Sequence, residues 1–202
     1  LESGDKKRAL EFSNNFINIT VLISTVISVL CMLLSKYIGV LIAPDLDAQT
    51  QLLLQKLIVI VLPTTIFTTL AYAFVGILQS LGEFNVPAII SLVSNVVIIL
   101  YLLLFDSVYG LCIAMLVGWG LQFVVQIPSL IKKGYKYRFT FNFKDKGIRE
   151  AVVLALPVLV SSWLQPISVF VNKRYASSIT GGGPALDYAN RFYIIVVGVF
   201  VL

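Results

Sequence analysis

Pro87-Ala-Ile-Ile-Ser-Leu-Val-Ser-Asn-Val-Val-Ile-Ile-Leu-Tyr-Leu-Leu-Leu-Phe105 decides the fold of this chain. Nineteen residues pass without a charge. Wound as a helix rising about 1.5 Å per residue, they cover roughly the 30 Å of a bilayer's hydrocarbon core. Pro87 suits the first helical position, where its missing N–H costs nothing. Polar and apolar residues do not alternate along the run, as the ~10-residue strands of a membrane barrel would require.

Five further segments read the same way. Residues 12–42 open on a polar turn (Ser13, Asn14, Asn15, Asn18) and end before Ala43-Pro44-Asp45. Residues 52–81 carry Pro63 near their middle, residues 108–130 follow a short turn, and residues 148–178 contain Pro157 and Pro166. A sixth segment starts at Pro184 and runs to the last residue. Several exceed the roughly 20 residues that span a bilayer, which implies tilt or extension beyond it. The fold class is all-α, a polytopic transmembrane helical bundle.

Composition agrees. Of 202 residues, 58% are hydrophobic and 12% charged, about half the charged fraction of a soluble domain, and the mean hydropathy is +0.95. Leu1-Glu-Ser-Gly-Asp-Lys-Lys-Arg8 lacks the pattern of a signal peptide, and Val201-Leu202 falls within an apolar run. Both ends read as cut, so the expectation is a fragment of a longer protein. Cys31 and Cys112 lie inside apolar runs and read as structural thiols rather than a disulfide framework.

The net charge of +5 is distributed as a membrane protein's would be, and no nucleic-acid partner is expected. Lys6, Lys7 and Arg8 precede the first segment. The loop after the fourth carries Lys132, Lys133, Lys136, Arg138, Lys144, Lys146 and Arg149. The opposite side offers Lys36, Lys173 and Arg174 alone. The basic side is therefore cytoplasmic, and the sixth segment enters from outside. The basic stretch 132–147 also divides the chain, with residues 1–131 on one side and 148–202 on the other. Its alternating patch Tyr137-Arg-Phe-Thr-Phe-Asn-Phe143 suits a short strand or the membrane surface.

Polar groups at membrane depth face protein or a water-filled cavity rather than lipid. Asn95, Gln122, Gln126, Gln165 and Asn172 are such groups, acting as hydrogen-bond glue between helices or as cavity lining. Pro63, Pro157 and Pro166 kink their helices, as static packing features or as hinges. Gly76-x-x-x-Ser80 and Gly118-Trp-Gly120 allow close helix approach.

Arg191 is the costliest residue, a cation about 10 Å along the last helix from Pro184. Either it snorkels to the outer headgroups or pairs with Asp187 one turn earlier, or it points into a cavity and binds an anion. A planar guanidinium suits phosphate, because its fork reaches two oxygens at once. Lys173 and Arg174 read as interfacial anchors, and Gly181-Gly-Gly183 as a flexible turn. No His is present, and no Gly-Lys-Ser/Thr phosphate loop, metal-ligand cluster or nucleophile–base pair appears. Neither an enzyme nor a cofactor is expected.

The order of these features resembles the MurJ (MviN) family of lipid II flippases, within the multidrug/oligosaccharidyl-lipid/polysaccharide exporter superfamily. The likeness rests on the Ala43-Pro44 turn, Pro63, Gly76-Ile-Leu-Gln-Ser-Leu-Gly-Glu-Phe-Asn-Val-Pro-Ala88 and Asn95. It continues through Gly120-Leu-Gln-Phe-Val-Val-Gln-Ile-Pro128, Leu156-Pro-Val-Leu-Val-Ser-Ser162 and Ala185-Leu-Asp-Tyr-Ala-Asn-Arg-Phe192. The resemblance implies about fourteen helices in two pseudo-symmetric lobes around a cationic cavity in the bacterial cytoplasmic membrane. It implies movement of lipid II, the undecaprenyl-pyrophosphate-linked peptidoglycan precursor, to the outer leaflet by alternating access.

The six segments here would be the third to eighth helices, with 132–147 joining the lobes. Arg191 matches a cavity-facing arginine of the eighth helix, and the family's other cavity arginines belong to the first two helices. Arg191, Asn172 and Gln165 are then the candidate substrate-binding residues. Asn190 stands where some members carry an acid, and Asn172 where some carry Asp. A cation-coupling site in the seventh helix is thereby in doubt, and any coupling cation is unknown. The rival expectations are a polysaccharide or O-antigen flippase, a drug–cation antiporter, or a non-transporting membrane scaffold.

Overall fold

A backbone in hydrocarbon has no water to bond, so every N–H and C=O must be satisfied within the segment, and these apolar runs fold as helices. A computed structural model describes residues 3–200, with side-chain surroundings from residue 8 to residue 196. The helices are α1 (Ser3–Leu33), α2 (Ser35–Ile42), α3 (Ala48–Val61), α4 (Thr64–Ser80), α5 (Asn85–Leu104), α6 (Val108–Lys132), α7 (Lys146–Ala176) and α8 (Gly182–Phe200). Among the described residues, five stretches are long and apolar enough to cross a membrane: Arg8–Leu33, Ala48–Ser80, Asn85–Leu104, Val108–Lys132 and Lys146–Ala176. The sixth expected segment is α8, whose far end passes beyond the described side chains, as Lys6 and Lys7 do at the other terminus.

Two expected segments are interrupted. The first breaks at Leu34, where neither proline nor glycine stands. The second breaks at Pro63, which has no N–H to give the preceding turn. There the Thr64 hydroxyl donates to the Val61 carbonyl at 2.6 Å and the Thr65 hydroxyl to the Leu62 carbonyl at 2.8 Å. α5 begins at Asn85, which places Pro87 third in the helix rather than first.

The chain divides into two compact units. The first comprises Leu1–Leu33 and Lys56–Val153. In it α6 packs along α5 and α4, and α1 packs on α4. Lipid tails are as apolar as leucine, so packing and hydrogen bonds rather than the hydrophobic effect hold such helices together. A Cβ at Gly118 would come within 3.1 Å of the Ser94 Cα, so the glycine sets how closely α5 and α6 approach. One turn on, Gln122 donates to the Ser94 hydroxyl at 2.6 Å, and Gln126, fully buried, donates to the Ala71 carbonyl of α4 at 3.1 Å. Both glutamines are interhelical glue. Asn95 is exposed, and a Cβ at Gly76 would meet open space, so the close approach expected there is absent. Just past the ends of α4 and α6, Glu83 and Lys133 pair at 3.4 Å.

The stretch 135–143 forms no strand among the described residues. It lies extended along α1, whose Asn14, Asn15 and Asn18 receive it. Asn14, Asn15 and Asn18 are almost wholly buried. Asn15 donates to the Asn142 carbonyl at 2.8 Å and accepts from the Asn142 N–H at 2.7 Å. Asn18 donates to the Thr140 carbonyl at 2.8 Å, and Asn14 to that of Lys136 at 3.3 Å. The Tyr135 and Tyr137 hydroxyls donate to Asn14 and Asn18. Tyr135 enters a small core with Ile17, Phe74, Leu78 and Leu130, and burial, then the neighbouring Tyr137, pushes its hydroxyl up to about 12. This clamp is the feature that the sequence did not announce.

The second unit comprises Leu34–Gln55 and Leu154–Leu202. Asp47 caps α3, accepting from the Gln49 and Thr50 N–H groups at 3.0 Å each. Arg174 donates to the Leu41 carbonyl at 3.4 Å, meeting one of the unpaired carbonyls that end α2.

Candidate functional site

α7 and α8 leave between them an open cleft of about 640 Å³. Gln165, Val169 and Asn172 recur at helical spacing on α7, as Asp187, Asn190 and Ile194 do on α8, and these two stripes face the cleft with Lys173 and Tyr193. Pro166, next to Gln165, withholds an N–H from the carbonyl one turn earlier, and α7 nonetheless continues to Ala176.

The turn joining the helices is tightly specified. Gly181 has φ +76°, which favours glycine. A Cβ on Gly182 would fall 2.5 Å from the Ala176 carbonyl oxygen. The expected flexible glycine turn is a close reversal that needs two of its three glycines for stated reasons.

Of the three residues expected to bind substrate, the structure brings Gln165 and Asn172 together on the cleft wall. Arg191, exposed on α8, is not among the residues that line the cleft. The pair with Asp187, one of the alternatives for Arg191, does not form. The Lys173 ammonium lies 3.1 Å from one Asp187 carboxylate oxygen and 3.4 Å from the other. Local spacing favoured Arg191, but Lys173 reaches Asp187 across the reversal from the neighbouring helix. Among the described residues, no carboxylate lies within 4 Å of the Arg191 guanidinium. Lys173 is therefore more than an interfacial anchor.

The cleft thus combines amide groups that donate and accept with one internally neutralised ion pair, while the Arg191 guanidinium, which no carboxylate among the described residues offsets, stands outside its lining. Such a set can hold an anionic, polyhydroxylated or amide-bearing group by hydrogen bonds.

Comparison with known proteins gives one consistent result. The model of the family described as "Lipid II flippase MurJ" matches residues 1–202. A probable lipid II flippase MurJ of Rickettsia prowazekii is 26% identical over 194 residues, covering 93% of this chain and 38% of the relative. One of Vibrio cholerae is 31% identical over 150 residues, covering 71% of this chain and 29% of the relative. A solved structure of lipid II flippase MurJ in an inward closed conformation superposes with a TM-score of 0.80 at 27% identity, covering 97% of this chain and 42% of the other. The chain spans about two-fifths of the length of such relatives. With the whole of its sequence matched by the family and its fold shared with a solved member, this chain belongs to the lipid II flippase MurJ family.

Proposed function

We propose that this chain forms the third to eighth helices of a lipid II flippase, a multi-pass protein of the bacterial cytoplasmic membrane. The protein carries the undecaprenyl-pyrophosphate-linked precursor between leaflets by alternating access. Residues 1–131 belong to one lobe, 148–202 open the other, and the basic stretch 132–147 connects them in the cytoplasm. Transport proceeds by binding and release, with no covalent step assigned to any residue here. Arg191 binds the pyrophosphate, and Gln165 and Asn172 line the polar path for the sugar and peptide groups.

The observation that supports this reading best is the family match through every part of the chain, α8 included. In that helix Arg191 keeps a charge that no carboxylate among the described residues offsets. A cation in an apolar helix costs at least a few kcal/mol, so its retention is explained by an anionic ligand.

Rescue tests the reading. The full-length protein, expressed in bacteria depleted of their own lipid II flippase, is expected to restore growth and rod or coccal shape. Failure to rescue despite normal membrane insertion, together with export of another lipid-linked sugar or a cationic drug, would assign it to a different branch of the exporter superfamily.

A further inference from the structure

The Lys173–Asp187 pair has a consequence for Arg191. Asp187 precedes Arg191 by four residues on one helix, the spacing at which an Asp and an Arg attract each other. Left alone, that carboxylate would fold the guanidinium onto its own helix and cancel its charge. Instead the Lys173 ammonium sits against both Asp187 oxygens, at 3.1 and 3.4 Å. Lys173 is also placed where its helix favours it. Lys173 lies in the last turn of α7, near the negative end of that helix dipole, and Asp187 lies in the second turn of α8, across the reversal from it.

We propose that Lys173 is a positioning residue: by occupying the Asp187 carboxylate it keeps the Arg191 guanidinium free for an anionic group of the substrate. This rests on the reading of Arg191 as the pyrophosphate-binding group. Lys173 itself need not touch the substrate. Its contribution is to decide which cation the carboxylate neutralises.

The test is a double-mutant cycle on the full-length protein in lipid nanodiscs, with undecaprenyl pyrophosphate as the probe and its dissociation constant as the readout. Arg191→Ala is expected to weaken binding at least tenfold. Lys173→Met is expected to weaken it about twofold or more, from the strength of a helical Asp–Arg pair and its growth where water is excluded. Asp187→Asn alone is expected to change little, and in the Lys173→Met background to restore binding, giving a clear coupling between the two positions. Lys173→Arg, which keeps the pair, is expected to bind as the parent does and guards against a folding artefact.

A general effect of net charge predicts otherwise. In that case Asp187→Asn strengthens binding equally in both backgrounds, and Lys173→Met still weakens it when Arg191 is already alanine. Either result overturns the proposal. If Arg191→Ala binds normally, the reading of Arg191 fails and this inference with it. If Arg191→Ala is impaired and Lys173→Met is not, only the inference fails.

Discussion

Replacing Asn15 by alanine removes the centre of the clamp that ties the connector to α1. Asn15 is 1% exposed and exchanges two hydrogen bonds with the backbone of Asn142, at 2.8 and 2.7 Å. Each such bond contributes about 0.5–1.5 kcal/mol net, so the pair contributes roughly 1–3 kcal/mol. Asn142 is exposed, so its freed N–H and C=O can turn to water, which keeps the cost from rising further. Alanine is also the better helix former by about half a kcal/mol, which offsets part of the loss. The net is about 0.5–2.5 kcal/mol, centred near 1.5, or roughly a tenfold rise in the population of the detached connector. Limited trypsin digestion of the full-length protein in nanodiscs reads this directly, through cleavage after Arg138 and Lys144. When opening is fast relative to cleavage, the rate follows the open population. Ser13→Ala is the matched control, since that hydroxyl returns to the Ala9 carbonyl of its own helix. A cleavage rate in Asn15→Ala within twofold of the Ser13→Ala rate would refute the clamp.

Two other perturbations follow from the same contacts. Gly118→Ala forces a methyl to within about 3 Å of the Ser94 backbone and wedges α5 from α6, at a cost of about 1–3 kcal/mol. Gly76→Ala meets open space and is expected to be neutral or to stabilise by up to about 1 kcal/mol; equal thermal stability of the two variants would contradict the packing described. Tyr135 holds its proton more tightly in the folded state, so its contribution is intact below its ordinary value of 10 and is lost as pH rises from there through about 12. Tyrosinate absorbance of Tyr135→Phe is expected to lack a component titrating near 12, and loss of one near 10 instead would show that Tyr135 is not buried in the clamp.

How far each feature was legible depends on the range of the interaction behind it. Uncharged runs of helical length announce a membrane bundle wherever they stand. Of the amides at membrane depth, Gln122 and Gln126 took the first of the two roles open to them, as glue, whereas Asn95 is exposed. The asparagine clamp was not, because its acceptors are backbone carbonyls more than a hundred residues away. Backbone groups leave no signature in side-chain identity, and Asn14, Asn15 and Asn18 looked like a polar helix start. The partner that Asp187 takes was not legible for a related reason. The four-residue rule sees along one helix, whereas Lys173 stands on the other arm of a reversal set by Gly181 and Gly182. Once that turn is known, its ends bring α7's last cations beside α8's first acid.

The most direct measurement is the leaflet distribution of lipid II in cells whose only flippase is the full-length protein carrying Arg191→Ala. If Arg191 holds the pyrophosphate, lipid II accumulates in the inner leaflet, the outer leaflet is depleted and growth fails, while the protein remains inserted at parental levels. Parental lipid II in the outer leaflet, with unimpaired growth, would contradict the role given to this arginine.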